Sequence, residues 1–454
     1  ELDYERGQAI IDAGIPGVKA VPASRRIYPE GDLASAVLGF VGKDQVGLAG
    51  LEADYDDALA GEPGSAVFER DSFGNEIVIG RREVKPPKPG ADLVLTIDRY
   101  LQRLVEEELD AALEQHQATG GAIIIQDPTT GAILAMAVRP SFSLLNLDLS
   151  DPANEDLYRN RAVTDLYEPG SVFKLVTIAA AIDHGAVTPE TPYYDSGLLV
   201  IGDSEIRNWN EQGYGTQTIR QVLQNSLNLG SAFAAQRLGA EAFYDYVQQF
   251  GFGQLSGIGI GGEAEGHYRT PDMDIWSPVD LATNSFGQGI SVTPLQMINA
   301  VSAIVNGGEL MRPYIVQEVV AEDHREVTQP QVIRRVISEE TSRTMRQLMN
   351  DVVDGVPGHL AQVAGYSAAG KTGTANIQDE TSGQYSSTTI ASFVGAVPAD
   401  EPRFVMLIKI DGPRDDEFGS TVAAPIFARL APPVLEYLKV PPEDVPVAGE
   451  ETPG

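Results

Sequence analysis

The sequence contains no cysteine, and this absence excludes several kinds of chemistry. Without thiols the chain can form no disulfide, no cysteine nucleophile and no thiolate metal site. Histidine is scarce as well: the chain has five histidines, which are scattered and lack the HExxH-like spacing of a zinc site. We therefore predict neither a bound metal nor a cofactor.

Long apolar runs are also absent. No uncharged stretch approaches the ~20 residues needed to span a bilayer, and no signal peptide is visible. The chain nevertheless begins abruptly at Glu1, inside the helix-like pattern ELDYERGQAIIDAG. We expect this sequence to be a piece of a longer parent protein.

Basic residues are few for a chain of this length. The 454 residues include 32 Lys and Arg against 65 Asp and Glu, which gives a net charge of −33. Such a balance argues against nucleic-acid binding and predicts repulsion from anionic membrane surfaces. The hydrophobic fraction of 43% is that of an ordinary globular protein, and the length allows two or three domains.

Turn-forming residues divide the chain into regions. The first region, 1–90, is rich in Gly and Pro; it carries a predicted short helix at 47–61 and a predicted hairpin at 65–80, before the connector VKPPKPG. The segment 155–355 is predicted to be mostly helical, and the tail 441–454 to be disordered.

Strand patterns lie on both sides of the helical segment. GAIIIQDPTTGAILAMAV (121–138) predicts two strands joined by a turn, after a helix capped by Asp98. ASFVGAV (391–397) and RFVMLIKI (403–410) predict strands near the end of the chain. We therefore expect one sheet of a large α/β domain, built from both ends of the chain.

One helical pattern contains a lysine that the pattern itself does not explain. Apolar residues fill most positions of 172–182, which predicts a helix buried on all sides and capped by Gly185. Ser171 and Lys174, three residues apart, share a face at its start. A buried ammonium is costly unless it has a partner or a lowered pKa. The alternative is that Ser171 caps the helix while Lys174 extends to the surface.

Two more polar motifs follow this S-x-x-K motif. The triplet SLN at 226–228 has the pattern S-x-N, and KTGT at 371–374 has β-branched threonines that favour a strand. Taken singly, each motif has a plain structural explanation, as helix caps for the triplet and as strand residues with an edge-strand lysine for KTGT.

The segment GYSAAGKT (365–372) also matches the P-loop pattern of nucleotide-binding proteins, and Asp411 after an apolar strand could bind magnesium. A P-loop must open a helix, however, so that backbone amides meet phosphate. The residues that follow, TGTANIQDETSG, favour strand and turn. We therefore interpret the segment as a strand.

In the order S-x-x-K, S-x-N and K-T-G, the motifs resemble the signature of penicillin-binding proteins and serine β-lactamases. YRNRAVTDLYEPGSVFK, SFGQGISVTPLQ, NGGELMRPYIV and SFVGAVPADEPRF resemble class B penicillin-binding proteins, the peptidoglycan transpeptidases of division and elongation. RRIYPEGDLASAVLGFVG resembles their pedestal, and the resemblance covers 25–435. It implies an irregular pedestal domain at 1–90 and an α/β (α+β) transpeptidase domain at 91–440, with a mainly antiparallel sheet and a helical lobe.

The resemblance also implies roles for individual residues. Ser171 would be the nucleophile and Lys174 its base, while Ser226 would relay a proton to the leaving amine. Asn228 would hold the donor peptide, and the backbone N–H groups of Ser171 and Thr374 would form the oxyanion hole. The substrate carboxylate would be bound by Lys371, Thr372, Gly373 and Thr374.

The implied reaction is the crosslinking of peptidoglycan stem peptides by D,D-transpeptidation. The implied partners are stem peptides, β-lactam antibiotics and a SEDS-family glycosyltransferase, and the implied location is the extracytoplasmic face of the cell membrane, through an anchor that this chain lacks. Two alternatives remain. In a D,D-carboxypeptidase or β-lactamase, water accepts the acyl group; a β-lactam sensor is acylated and does not turn over.

Overall fold

The computed structural model describes residues 4–18, 25–72, 77–378 and 385–443. The helices are α1 (Tyr4–Asp12), α2 (Ser35–Leu38), α3 (Gly50–Asp54), α4 (Asp56–Leu59), α5 (Arg99–His116), α6 (Arg161–Thr164), α7 (Lys174–Asp183), α8 (Ile219–Gln224), α9 (Asn228–Leu238), α10 (Ala240–Gln249), α11 (Pro278–Asn284), α12 (Pro294–Val305), α13 (Glu339–Val353) and α14 (Ala424–Tyr437), with 3₁₀ helices at Pro152–Tyr158 and Gly170–Phe173.

The strands are β1 (Phe40–Val41), β2 (Gly47–Ala49), β3 (Ser65–Phe68), β4 (Arg82–Lys85), β5 (Asp92–Leu95), β6 (Gly120–Gln126), β7 (Ile133–Arg139), β8 (Pro192–Asp195), β9 (Leu198–Ile201), β10 (Ser204–Arg207), β11 (Gly215–Thr218), β12 (His267–Tyr268), β13 (Ile290–Ser291), β14 (Glu309–Met311), β15 (Val316–Val320), β16 (Arg325–Val327), β17 (Val332–Arg335), β18 (Ala369–Gln378), β19 (Tyr385–Val397) and β20 (Phe404–Asp411).

A five-stranded antiparallel sheet, in the order β18-β19-β20-β6-β7, lies at the centre of the molecule. Strands β6 and β7 precede the helical segment and the other three follow it. This arrangement confirms the expectation of one sheet built from both ends of the chain. Nearly every residue of β6 and β20 is buried, because helices cover both faces of the sheet.

The two faces of the sheet contribute to two hydrophobic cores. Successive side chains of a strand point to opposite faces, so Ile123 and Ile125 pack with α5 and α14, while Ile124 packs with the helical lobe around α7 and α12. Helix α5 begins at the predicted cap, since Asp98 accepts hydrogen bonds from two backbone N–H groups of its first turn. The site described below lies where the edge strand β18 meets the helical lobe.

The segment 155–355 differs in part from its prediction. Besides helices α6 to α13, it contains ten short strands, β8 to β17, most of them in two-stranded ribbons. These strands are two to five residues long, too short to show an alternating pattern against the surrounding helical periodicity. The all-apolar helix is confirmed as α7, and Gly185 follows it with a φ of 76°.

The N-terminal part differs from its prediction in two places. The predicted helix at 47–61 is strand β2 followed by the two short helices α3 and α4, and the second strand of the predicted hairpin is displaced. Strand β3 pairs with β4, so that Ser65 faces Lys85, and the pairing strand lies beyond the predicted limit at Gly80. The reason is a turn at Ile77–Gly80, closed by a hydrogen bond from the Gly80 N–H to the Ile77 carbonyl. Residues 73–76 of the predicted hairpin and 444–454 of the predicted tail lie outside the described residues.

Among the helices of the described residues, none is both long enough and apolar enough to cross a bilayer.

The strand conformation of the GKT segment leads to the first prediction. Lys371 lies within β18, opposite Val394 of β19, and the residues described after it, up to 378, continue as strand. The segment therefore lacks the helix that a P-loop must open. We predict that calorimetric titration with Mg-ATP gives no saturable heat at micromolar concentrations. Micromolar binding that Lys371→Ala abolishes would contradict this assignment.

Candidate active site

The serine of the S-x-x-K motif lies on a tightly packed turn. Ser171 belongs to the 3₁₀ helix Gly170–Phe173, and the α-helix begins two residues later than its apolar pattern predicted, at Lys174. Gly170 has a φ of 54°, and a Cβ there would lie 2.6 Å from the carbonyl oxygen of Thr374. On its other side, a Cβ on Gly287 would lie 2.2 Å from the Gly170 carbonyl oxygen. The turn that carries Ser171 is thus held between β18 and the SFGQG turn (285–289).

Lys174 does not extend to the surface. Its side chain is fully buried, and its Nζ lies 2.9 Å from Ser171 Oγ, 2.7 Å from the Ser226 carbonyl oxygen and 2.8 Å from Asn228 Oδ1. A fourth neighbour, Ser226 Oγ, is 3.2 Å away. The alternative in which Lys174 reaches solvent is therefore wrong.

The hydrogen-bonding capacity of these neighbours sets the direction in which a proton can move. A neutral amine has two N–H donors and one lone pair. The Ser226 carbonyl and Asn228 Oδ1 can only accept, and they take up the two N–H donors. The lone pair then remains for the Ser171 hydroxyl, which can donate. In its neutral form Lys174 is therefore oriented as a base toward Ser171.

The S-x-N triplet forms the turn between α8 and α9. Ser226 adopts a left-handed conformation with a φ of 53°, which is uncommon for a residue with a side chain, and Asn228 is the first residue of α9. Ser226 Oγ lies between two lysines, 3.2 Å from Lys174 Nζ and 3.0 Å from Lys371 Nζ. The strained turn thus places one hydroxyl between the two lysine amines.

The KTGT segment forms the opposite wall. Lys371 is 1% exposed and also contacts the carbonyl oxygen of Thr372 at 3.2 Å. Gly373 is closely packed, because a Cβ there would meet Ser392 Oγ at 2.4 Å and the Pro169 carbonyl at 2.9 Å. Thr374 Oγ1 accepts a hydrogen bond from the Gly419 N–H at 3.1 Å. The strand thus packs directly against the turn that carries Ser171.

A cleft of about 610 Å³ opens above these groups. It is lined by seven of the eight site residues expected from the sequence, namely Ser171, Ser226, Asn228, Lys371, Thr372, Gly373 and Thr374. Lys174 is buried beneath the cleft and is connected to it through Ser171 and Ser226.

Burial decides the electrostatics of the two lysines. Loss of hydration, and then the positive charge of Lys371, lower the pKa of Lys174 well below its ordinary value. Burial lowers the pKa of Lys371 to about 7. Among the described residues, no carboxylate forms an ion pair with either lysine. Burial therefore favours the neutral form of Lys174, the form in which its lone pair is free for the Ser171 hydroxyl.

Several residues of the cleft carry no sequence motif and were missed. Trp209 and Phe418 form an edge-to-face pair at its mouth, with ring centroids 6.0 Å apart, and His359 lines the wall beside Lys371. All three belong to irregular loops, where no periodicity indicates which side chains point inward. Groups of three or more acidic or histidine side chains that could hold a metal ion were found nowhere in the described ranges.

Two family models match the sequence. The penicillin binding protein transpeptidase domain matches residues 121–431, and the penicillin-binding protein dimerisation domain matches residues 9–95. Among curated proteins, Stage V sporulation protein D of Bacillus subtilis is 40% identical over 97% of this chain and 68% of its own length. Probable peptidoglycan D,D-transpeptidase PenA of Neisseria meningitidis is 34% identical over 97% of this chain and 74% of its own length.

A solved structure shows the same similarity in three dimensions. Penicillin binding protein 3 of Mycobacterium tuberculosis, complexed with aztreonam, superposes with a TM-score of 0.81 at 33% identity. The superposition covers 92% of this chain and 91% of that one.

The charge interaction between the two lysines leads to the second prediction. In protein labelled with ¹³C at lysine Cε, we expect the Lys371 resonance to titrate near pH 7, because burial favours the neutral amine. Lys371→Met should raise the pKa of Lys174, since a positive charge that opposes its protonation is removed. The matched control is Lys409→Met, which removes a buried lysine paired with Asp411 and should leave Lys174 unchanged. Titration of both site lysines near pH 10 would refute the electrostatic account.

Proposed function

The chain belongs to the penicillin-binding protein transpeptidase family, and on this premise we propose that it is a peptidoglycan D,D-transpeptidase that acts through an acyl-enzyme on Ser171. The observation that carries the proposal is the orientation of Lys174, whose lone pair is left for the Ser171 hydroxyl at 2.9 Å. Two acceptors fix that orientation, and burial favours the neutral amine because it lowers the pKa of Lys174. An unactivated serine is a weak nucleophile, so this arrangement supplies what the reaction requires.

The first step forms the tetrahedral intermediate, which becomes the acyl-enzyme when the peptide bond breaks. Lys174 takes the proton of Ser171 as Oγ attacks the carbonyl carbon of the penultimate D-Ala. The N–H groups of Ser171 and Thr374 stabilise the oxyanion. The close packing of Gly170 against Thr374 supports this oxyanion hole, because it brings the turn that carries Ser171 into contact with β18.

The second step breaks the peptide bond and releases D-Ala. The departing amine needs a proton, and Ser226 delivers it, since its Oγ lies 3.2 Å from the now protonated Lys174. An amine of a neighbouring stem peptide then attacks the ester carbonyl and loses its proton along the same path in reverse. The new peptide bond forms as the bond to Ser171 Oγ breaks, and Ser171 recovers its proton.

Lys371, Thr372 and Thr374 bind the terminal carboxylate of the donor peptide, and Gly373 lets the strand lie close to it. Asn228 holds the peptide backbone. Its Oδ1 and Nδ2 each make one internal hydrogen bond, to Lys174 Nζ and to the Arg207 carbonyl. One lone pair and one N–H therefore remain for the substrate amide.

The same proposal assigns the parts of the chain. Residues 1–90 form the pedestal, 91–440 the transpeptidase domain and 441–454 the tail. Because peptidoglycan lies outside the cytoplasmic membrane, the catalytic domain acts on the extracytoplasmic face of the cell membrane. Family resemblance supports a SEDS-family glycosyltransferase as partner, and the aztreonam complex of the M. tuberculosis relative supports β-lactam binding.

The third prediction tests the function itself. Intact-mass measurement after incubation with penicillin should show one covalent equivalent, located on Ser171 by peptide mapping and absent in Ser171→Ala. With a D-Ala-D-Ala peptide and an added D-amino acid, we expect amine transfer to exceed hydrolysis. Hydrolysis alone would favour a carboxypeptidase or β-lactamase, and acylation without release would favour a sensor. An adduct on another residue would contradict the proposal.

The fourth prediction concerns Lys174 as the base. Lys174→Met replaces a fully buried stem with an apolar chain of similar length, so the fold should be retained. Acylation by penicillin should fall by roughly 10² to 10⁴, the usual range for general-base assistance. The measurement is the acylation rate beside thermal melting of the same sample. A variant that melts like wild type and is acylated at a comparable rate would exclude Lys174 as the base.

A further inference from the structure

We propose that Asn208, held by the buried carboxylate of Asp195, is a positioning residue that orients Asn228 and through it the base Lys174. Neither residue lies in a motif, and both are almost fully buried, with exposures of 2% and 1%. The inference rests on the proposed function and deepens it. It stands on three connected sets of hydrogen bonds.

The first set fixes the side chain of Asn208. Its Nδ2 lies 3.1 and 2.9 Å from the two carboxylate oxygens of Asp195 and 3.0 Å from the Gln212 carbonyl oxygen. All three partners accept hydrogen bonds, so the donor end of the amide must face them. The Oδ1 end is thereby turned toward α9.

The second set connects Asn208 to helix α9. The N-cap residue of this helix is Leu227, whose side chain makes no capping hydrogen bond. Instead, Asn208 Oδ1 accepts from the N–H groups of Asn228 at 2.9 Å and Leu229 at 3.3 Å. A residue twenty positions earlier in the chain thus caps the helix, and it caps the turn that carries Asn228.

The third set orients the Asn228 side chain. Its Nδ2 donates to the carbonyl oxygen of Arg207, the residue beside Asn208, at 2.9 Å. Its Oδ1 is therefore directed at Lys174 Nζ, 2.8 Å away. Because that oxygen takes up one of the two N–H donors of the neutral amine, it helps to leave the lone pair of Lys174 for Ser171. The 207–208 segment thus determines the direction of the base.

The carboxylate of Asp195 is itself fixed by further hydrogen bonds. Tyr193 and Gly197 also donate to it, from the hydroxyl at 3.0 Å and the backbone N–H at 2.9 Å, and within the described residues no cation pairs with it. Burial, followed by the charge of Asp195, raises the pKa of Tyr193, so its hydroxyl remains a donor. A carboxylate satisfied by neutral donors alone holds the Asn208 amide in one orientation.

The test compares three variants in acylation by penicillin and in thermal melting. Asn208→Ala removes the contact to α9, and we expect acylation to slow by about 10²-fold, as for a small displacement of a reacting group. Asn299→Ala is the matched control. Asn299 is 5% exposed and makes two buried hydrogen bonds, one to Gln126 and one to the Met311 carbonyl. It should destabilise comparably and leave the acylation rate of the folded protein within about twofold, as expected for a substitution that leaves the reacting groups in place.

The third variant exchanges donor and acceptor. In Asp195→Asn with Asn208→Asp, the amide at 195 donates to the carboxylate at 208, which still accepts from the N–H groups of α9. We expect acylation at least about tenfold faster than in Asn208→Ala, which corresponds to recovery of about half of the logarithmic loss. If Asn208→Ala does not fold, Asn208→Ser is compared with Asn299→Ser in the same way.

Two results would overturn the inference: an Asn208 variant that is acylated as fast as its Asn299 control, or a folded exchange variant that remains as slow as Asn208→Ala. Hydrogen exchange of the 227–232 segment supplies a readout that does not depend on acylation. The Asn228 and Leu229 amides should exchange faster in Asn208→Ala than in wild type, and unchanged exchange would contradict the capping role. Failure of wild type to be acylated would refute the proposed function alone.

Discussion

Two lysine side chains, Lys174 and Lys371, are buried within hydrogen-bond reach of one hydroxyl, and the described residues provide no carboxylate to neutralise them. Two unpaired ammonium groups at that distance cannot both be retained in a low dielectric, because each has lost its hydration and each repels the other. The fold resolves the conflict by favouring the neutral form of Lys174, since burial lowers its pKa. Its neighbours are neutral oxygen atoms, two of which can only accept. The chemistry of the serine thus follows from where the lysines are buried.

The burial itself depends on how closely three backbone segments approach. Glycines form the contacts between the turn that carries Ser171, the SFGQG turn and β18. Gly419 packs against the same strand, since a Cβ on Gly419 would lie 2.3 Å from the Gly373 carbonyl oxygen. Backbone contact of this kind packs the segments closely, so the two lysine side chains are buried beside them. The close approach of these segments also explains why the site lies between a sheet edge and the helical lobe. The strand supplies a straight wall, and the helices supply the apolar surroundings of Lys174.

The sequence predicted those parts whose signal is local or follows a known order of motifs. Strands of continuous apolar residues and the all-apolar helix α7 could be recognised from composition and period, and the order of the three motifs indicated one site. Prediction failed where a short irregular turn or a contact between separate segments decides the structure. Strand β3 pairs with β4 because of a turn at 77–80, and nothing in the pattern of 65–80 indicates it. Asn208 could not be predicted either, since its role as a cap depends on a helix that begins twenty residues later.

The charge of the whole protein and the charge of the site act in opposite directions. A net charge of −33 repels an anionic substrate at long range, but at physiological salt this field fades over about 8 Å. At the cleft the relevant group is Lys371, whose pKa of about 7 leaves it only partly protonated in the free protein. On the proposed function, a carboxylate that enters the cleft provides the partner that burial had denied, and so it favours the protonated amine. The arriving substrate therefore generates the cation that binds it, while Lys174, held among neutral acceptors, stays free to act as a base.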